Sequence, residues 1–113
     1  MSARQSALIK AGHMLETFTV ETFNPHRGAT FTLRVTEQTP LALTLSEITP
    51  LGDAPAGGGA HRAPFSLLFH GPASPLIPQR TYRVEHETLG AFDLFLVPLG
   101  PDRAGQRYEA VFG

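Results

Sequence analysis

Five histidines, His13, His26, His61, His70 and His86, are the side chains of this chain best suited to ligating a metal or moving protons near neutral pH. None stands one or three residues from another, so no strand or helix carries a local metal-ligand motif. A site would have to be assembled by the fold. His61, His70 and Glu85 could converge in that way, and a barrel mouth lined by His61, His70 and Arg80 is the form that a small-ligand or metal-dependent enzyme would take here. For His86 the plain reading is structural: it falls on the inward face at a strand end, where the ring packs and one nitrogen reaches the turn.

Nucleophilic chemistry has less support in the sequence. Ser46, Ser66 and Ser74 lack the glycine-flanked elbow that exposes a hydrolase serine. Cysteine is absent, which removes disulfides, thiolate chemistry and cysteine-ligated zinc together. The run Gly57-Gly58-Gly59 lacks the lysine and following hydroxyl of a phosphate-binding loop and reads as a mobile linker. Glu85, Glu87 and Asp93 could form an acid–base cluster, but Arg83 and Arg107 stand close enough to make a solvated ion-pair lattice the ordinary explanation. The sequence thus assigns no catalytic residue, metal ligand or cofactor.

The elements that would position these residues are clearest between Thr81 and Phe112. Tyr82, Val84 and His86 alternate with Arg83 and Glu85, and Phe92, Leu94 and Leu96 alternate with Asp93, Phe95 and Val97, as half-buried strands require. A loop at Thr88-Leu89-Gly90, with glycine in the left-handed conformation, places Val84 opposite Leu94 and Tyr82 opposite Leu96. After a wide turn from Gly100 to Gly105, Tyr108, Ala110 and Phe112 return facing Leu96, Leu94 and Phe92.

Earlier strands follow the same rule. Phe31, Leu33 and Val35 share one face, as do Leu41, Leu43 and Leu45, and the phase breaks at Glu47-Ile48 as it does at a bulge or a strand end. Phe65 to Phe69 is a compact apolar strand. Pro72, Pro75 and Pro78 then bar a central strand or helix and imply an extended crossing. Thr17 to Asn24 reads as a short helix with Thr19 as N-cap, Glu21 in the first turn and Asn24-Pro25 as its end. Phe18 and Phe23 flank that start at the positions of a hydrophobic staple. The expected fold is mostly β, a small antiparallel barrel or sandwich of about six strands with one short N-terminal helix.

Bulk properties narrow the function classes. At 113 residues the chain reads as a flexible extension over 1–13 followed by a single domain over 14–113. Its hydrophobic content of 42% suits a globular protein, and no stretch has the roughly 20 apolar residues of a membrane helix. With a formal charge of -1 and scattered arginines there is no basic footprint for nucleic acid. Ala7-Leu8-Ile9 is too short for a signal-peptide core, so the expected location is the cytoplasm, or outside it as part of an exported assembly.

The sequence resembles a family of short, uncharacterised bacterial proteins associated with phage-tail-collar-type proteins. The resembling parts are Leu15-Glu16-Thr17-Phe18 through Gly28-Ala29-Thr30-Phe31, Pro64 through Pro72, and Pro78-Gln79-Arg80-Thr81-Tyr82 through Tyr108-Glu109-Ala110-Val111-Phe112. The resemblance implies at most an accessory to a tail-like or fibre-like assembly and carries over no catalytic residue.

Phe95, Val97 and Val111 fall on the outward side of a sheet that already has an inner face. Either the Phe18/Phe23 helix covers them, or a partner protein or a second copy does. The chain also ends at Phe112-Gly113, so the last strand offers a possible free edge for pairing. The expected function is therefore a non-enzymatic protein-binding or assembly module, with Phe95, Val97, Val111 and Phe112 as the interface residues.

Overall fold

The computed structural model describes residues 17–52 and 63–113. His13, the extension over 1–13, the triple glycine and His61 lie outside the described residues.

A four-residue helix, α1 (Val20–Phe23), runs into a 3-10 turn (Asn24–His26), so the helical path continues through Pro25 rather than stopping before it. Six strands follow: β1 (Thr30–Thr36), β2 (Thr39–Pro50), β3 (Phe65–Gly71), β4 (Arg80–His86), β5 (Gly90–Asp102) and β6 (Gly105–Phe112). They close into an antiparallel barrel in the order β1-β2-β3-β6-β5-β4. Among the described residues closure leaves no free strand edge, and β6 pairs with both β3 and β5. The free edge expected at the last strand is therefore occupied.

Alternation places the apolar residues inside, as the sequence requires. Phe31 and Leu33, Leu43 and Leu45, Phe65, Leu67 and Phe69, Val84, Phe92 and Leu96, and Tyr108 are all fully buried. The expected bulge is present between Leu45 and Glu47. Register differs from the sequence expectation by two residues: Val84 faces Phe92 and Tyr82 faces Leu94. His86 pairs with Gly90, so the hairpin loop is Glu87-Thr88-Leu89. The cause is local, since Nδ1 of His86 accepts the N–H groups of Thr88 and Leu89 at 3.0 and 3.2 Å. Gly90, at a φ of 83°, still supplies the left-handed residue. The wide turn after β5 is in fact tight. Asp102 pairs with Gly105 across Arg103-Ala104, and an irregularity between Pro98 and Gly100 shifts the register so that Tyr108 faces Pro98 rather than Leu96.

The helix enters the barrel instead of covering its wall. Thr19 N–H donates to the Thr22 hydroxyl at 2.9 Å, which helps fix the first turn. Phe18 and Phe23 meet edge to face at 5.2 Å, the expected staple. Phe23 then inserts among Phe31, Phe65, Phe92 and Phe112, with ring centroids 5.7 to 6.4 Å away. Those four rings sit at the starts of β1, β3 and β5 and the end of β6, which antiparallel closure gathers at one mouth. The proline-bearing segment crosses the other mouth, between β3 and β4. Ile77 is buried there, and its N–H donates to the Tyr108 hydroxyl at 3.3 Å.

His86 makes the first mouth sensitive to acid. Its ring stands 4.4 Å from His26 and 4.5 Å from Phe31. Burial first, and the neighbouring His26 second, hold its pKa below 6.5 against the opposing pull of Glu87. The folded state therefore binds fewer protons than the unfolded chain. The stabilisation is complete above the unfolded value near 6.5 and is lost as pH falls toward the lower folded value. The melting temperature should fall on acidification from about pH 7 to pH 5. His86→Asn, whose carbonyl oxygen can accept the same two N–H groups without titrating, should flatten that fall. Equal pH slopes for the two proteins would assign the acid sensitivity elsewhere.

Candidate functional site

The mouth site suggested by His61, His70 and Arg80 does not assemble from its described members. His70 lies on β3 and Arg80 on β4, strands on opposite walls of the barrel. Arg80 extends over the Tyr82 ring at 4.9 Å and donates to the Val35 carbonyl at 3.3 Å. Among the described residues, no group of three or more histidine, aspartate or glutamate side chains could hold a metal ion.

Glu85 and Asp93 fall in separate ion pairs. Glu85 accepts two bonds from Arg34 on β1, at 3.0 and 3.2 Å, a partner the sequence did not suggest. Asp93 stands across from Arg83, not Glu85, with 3.8 Å between the charged groups. These pairs are partly solvated and stabilise by about 0–1 kcal/mol each. Shallow grooves lined by Thr32, Glu85 and Glu87, and by Arg34, Glu37 and Arg83, run along this side of the barrel.

The outer wall of β5 and β6 carries the apolar residues singled out from sequence. Phe95 is 52% exposed, Val111 is 61% exposed, and Val97 is half-buried. Val97 pairs with Glu109, and the same register sets Phe95 beside Val111. Leu99, further along the same face, is also exposed. Phe112 does not belong to this surface. It is 5% exposed and stacks on Phe65 inside the barrel at 4.6 Å.

A second constellation was not visible in the sequence. Ser46 is the extra residue of the β2 bulge, opposite no residue of β3. The bulge leaves both Ser46 and Glu47 on the outer side, so the serine is re-aimed along the wall. Its Oγ lies 2.5 Å from Nδ1 of His70, and Nε2 of His70 lies 2.8 Å from Oδ2 of Asp102. A carboxylate only accepts, so Nε2 carries the proton, and in the neutral ring Nδ1 must accept from the Ser46 hydroxyl. If the ring is protonated, the hydroxyl can instead turn to the Thr44 carbonyl, 3.4 Å away. Hydrogen bonds from His70 and from the Ala104 N–H, with Arg107 nearby, hold Asp102 below its usual carboxylate pKa. The order serine, imidazole, carboxylate is that of a hydrolase triad, with the two ring nitrogens exchanged.

With these positions established, residues 18–112 match the family model described as a domain of unknown function, DUF6916. The chain belongs to this DUF6916 family. No curated protein and no solved structure matches it. In this DUF6916 member the matched span runs from Phe18, the first residue of the staple, to Phe112, the last ring of the plugged mouth. Among the described residues, no helix is long and apolar enough to cross a membrane.

Proposed function

We propose that this protein is a binding or assembly module whose outer β5–β6 wall docks another protein or a second copy of the chain. The observation that carries this reading is the exposure of Phe95 and Val111 side by side on a barrel whose own core is complete. The helix expected as an alternative cover for them is engaged inside the mouth, with Phe23 fully buried. Apolar groups clustered in this way gain by leaving water together, at about 25 cal/mol per Å² of surface removed. From the sequence resemblance alone, the proposal extends to an accessory or structural subunit of a tail-like or fibre-like assembly.

The test compares wild type with Phe95→Glu/Val111→Glu by sedimentation over a range of concentrations, alone and with proteins of the same assembly. Both side chains point outward, so the double variant should keep the wild-type melting temperature within a few degrees. Wild type should sediment as an oligomer or in a complex, and the variant as a free monomer. Identical monomers in every mixture would refute the docking role.

A further inference from the structure

We propose that Ser46 is an acyl-accepting nucleophile, activated by His70 with Asp102 as its positioning residue, and that its substrates are carboxylic esters with a short apolar acyl group. The trio that carries this proposal includes none of the docking residues Phe95, Val97 and Val111. Ser46, His70 and Asp102 are linked end to end by bonds of 2.5 and 2.8 Å. Such an alignment gives a hydroxyl a base within reach and gives that base a fixed tautomer, the two requirements for an activated serine. The bulge at Ser46 is of the kind that redirects a side chain beside a reactive site.

The surroundings suggest the substrate class. Arg107 faces His70 across the β3–β6 ladder. Its Nε and Nη2 donate to the Gly100 and Leu99 carbonyls, which fixes the guanidinium and leaves other N–H bonds for a developing oxyanion. Leu68 lies two residues before His70 on the same face, and exposed Leu99 lies beside Arg107, so an acyl chain has an apolar ledge. The trio is on an open wall rather than in a deep cleft, which favours small esters over long ones.

The chemistry balances with ester and water alone. Ser46 Oγ attacks the carbonyl carbon while its proton passes to His70 Nδ1, giving a tetrahedral oxyanion and an imidazolium held by Asp102. Collapse breaks the ester C–O bond, and the departing alkoxide leaves as alcohol with the proton from Nδ1. Water then attacks the acyl-serine, His70 takes its proton, and the carboxylic acid is released with Ser46 restored.

The test treats the full chain with a fluorophosphonate probe and, separately, with p-nitrophenyl acetate. The expected result is one phosphonylated residue, Ser46, located by mass spectrometry of the folded protein. Ser46→Ala should abolish the adduct and return nitrophenolate release to the buffer rate. His70→Gln should slow both reactions by roughly 10²-fold or more. Asp102→Asn should slow labelling and also move the imidazole ¹⁵N shifts of His70 away from the Nε2–H tautomer. All three positions are on the outer wall, and melting curves would verify that each variant is folded. No adduct at Ser46, or equal labelling with and without His70, would overturn the proposal and leave the trio as a tie between the β2 bulge and the β5–β6 turn.

Discussion

Phe23→Ala should lower the stability of the barrel by about 3–5 kcal/mol, the cost of emptying a fully packed phenylalanine site. That is a large part of the roughly 5–15 kcal/mol by which a domain of this kind is stable. The residue is fully buried, and its ring contacts five other phenylalanines. A helix of four residues has no stability of its own, so it is held by what its one buried ring touches. Truncation therefore releases the plug as well as leaving a void.

The melting temperature should drop by roughly 12 °C or more, at about 4 °C or more per kcal/mol for a domain near this size. Phe95→Ala removes a ring of the same volume from the outer wall and should change stability by only about 0.5 kcal/mol. Urea and thermal unfolding followed by circular dichroism would measure both. A Phe23→Ala protein within about 1 kcal/mol of wild type would mean that the mouth is closed by something other than this ring.

That contrast also shows what the sequence could and could not reveal. Alternation says which side chains point inward, and Tyr82, Val84, Phe92, Leu94 and Leu96 all do. It cannot choose between registers that differ by two residues, because such registers expose the same faces. The choice here was made by His86, whose ring nitrogen captures two loop N–H groups and ends the hairpin one residue earlier than expected. The helix cap and staple at Thr19, Phe18 and Phe23 were legible for the same reason as the strands, since their contacts are local.

A barrel was one of the two expected architectures, and the structure is one, but the strand pairing that closes it was not legible. The β3–β6 ladder joins Phe65 to Phe112 and His70 to Arg107, far apart in the chain, and no neighbouring residues announce it. With that pairing unseen, the last strand looked free and Phe112 looked available. The Ser46, His70 and Asp102 trio is hidden by the same distance: its members are 24 and 32 residues apart. The phase break at Glu47 was the one local trace of it. A broken alternation marks a bulge, and only the paired strand shows which side chain the bulge has turned outward.

The turn that supplies Asp102 leads to the second large effect. Gly105→Ala should destabilise the protein by about 2–4 kcal/mol, combining backbone strain with overpacking. Gly105 has a φ of 131°, and a Cβ placed there would run into the carbonyl oxygen of Gly71. A backbone oxygen in a strand cannot swing aside as a side chain can, so β3 and β6 must part locally. Gly100 is the internal comparison. Its φ is 93°, but a Cβ there meets nothing within 4 Å, so Gly100→Ala should cost only the strain of the left-handed conformation, about 1–2 kcal/mol. Because Asp102 and Gly105 close the turn as a pair, the larger displacement should also draw the carboxylate away from His70. Gly105→Ala should therefore melt well below Gly100→Ala, and its His70 ring should lose the Nε2–H tautomer while still folded. If the two variants melt together, the approach of Gly105 to Gly71 is not what holds the turn, and the alignment of Asp102 must come from its own bond to the Ala104 N–H.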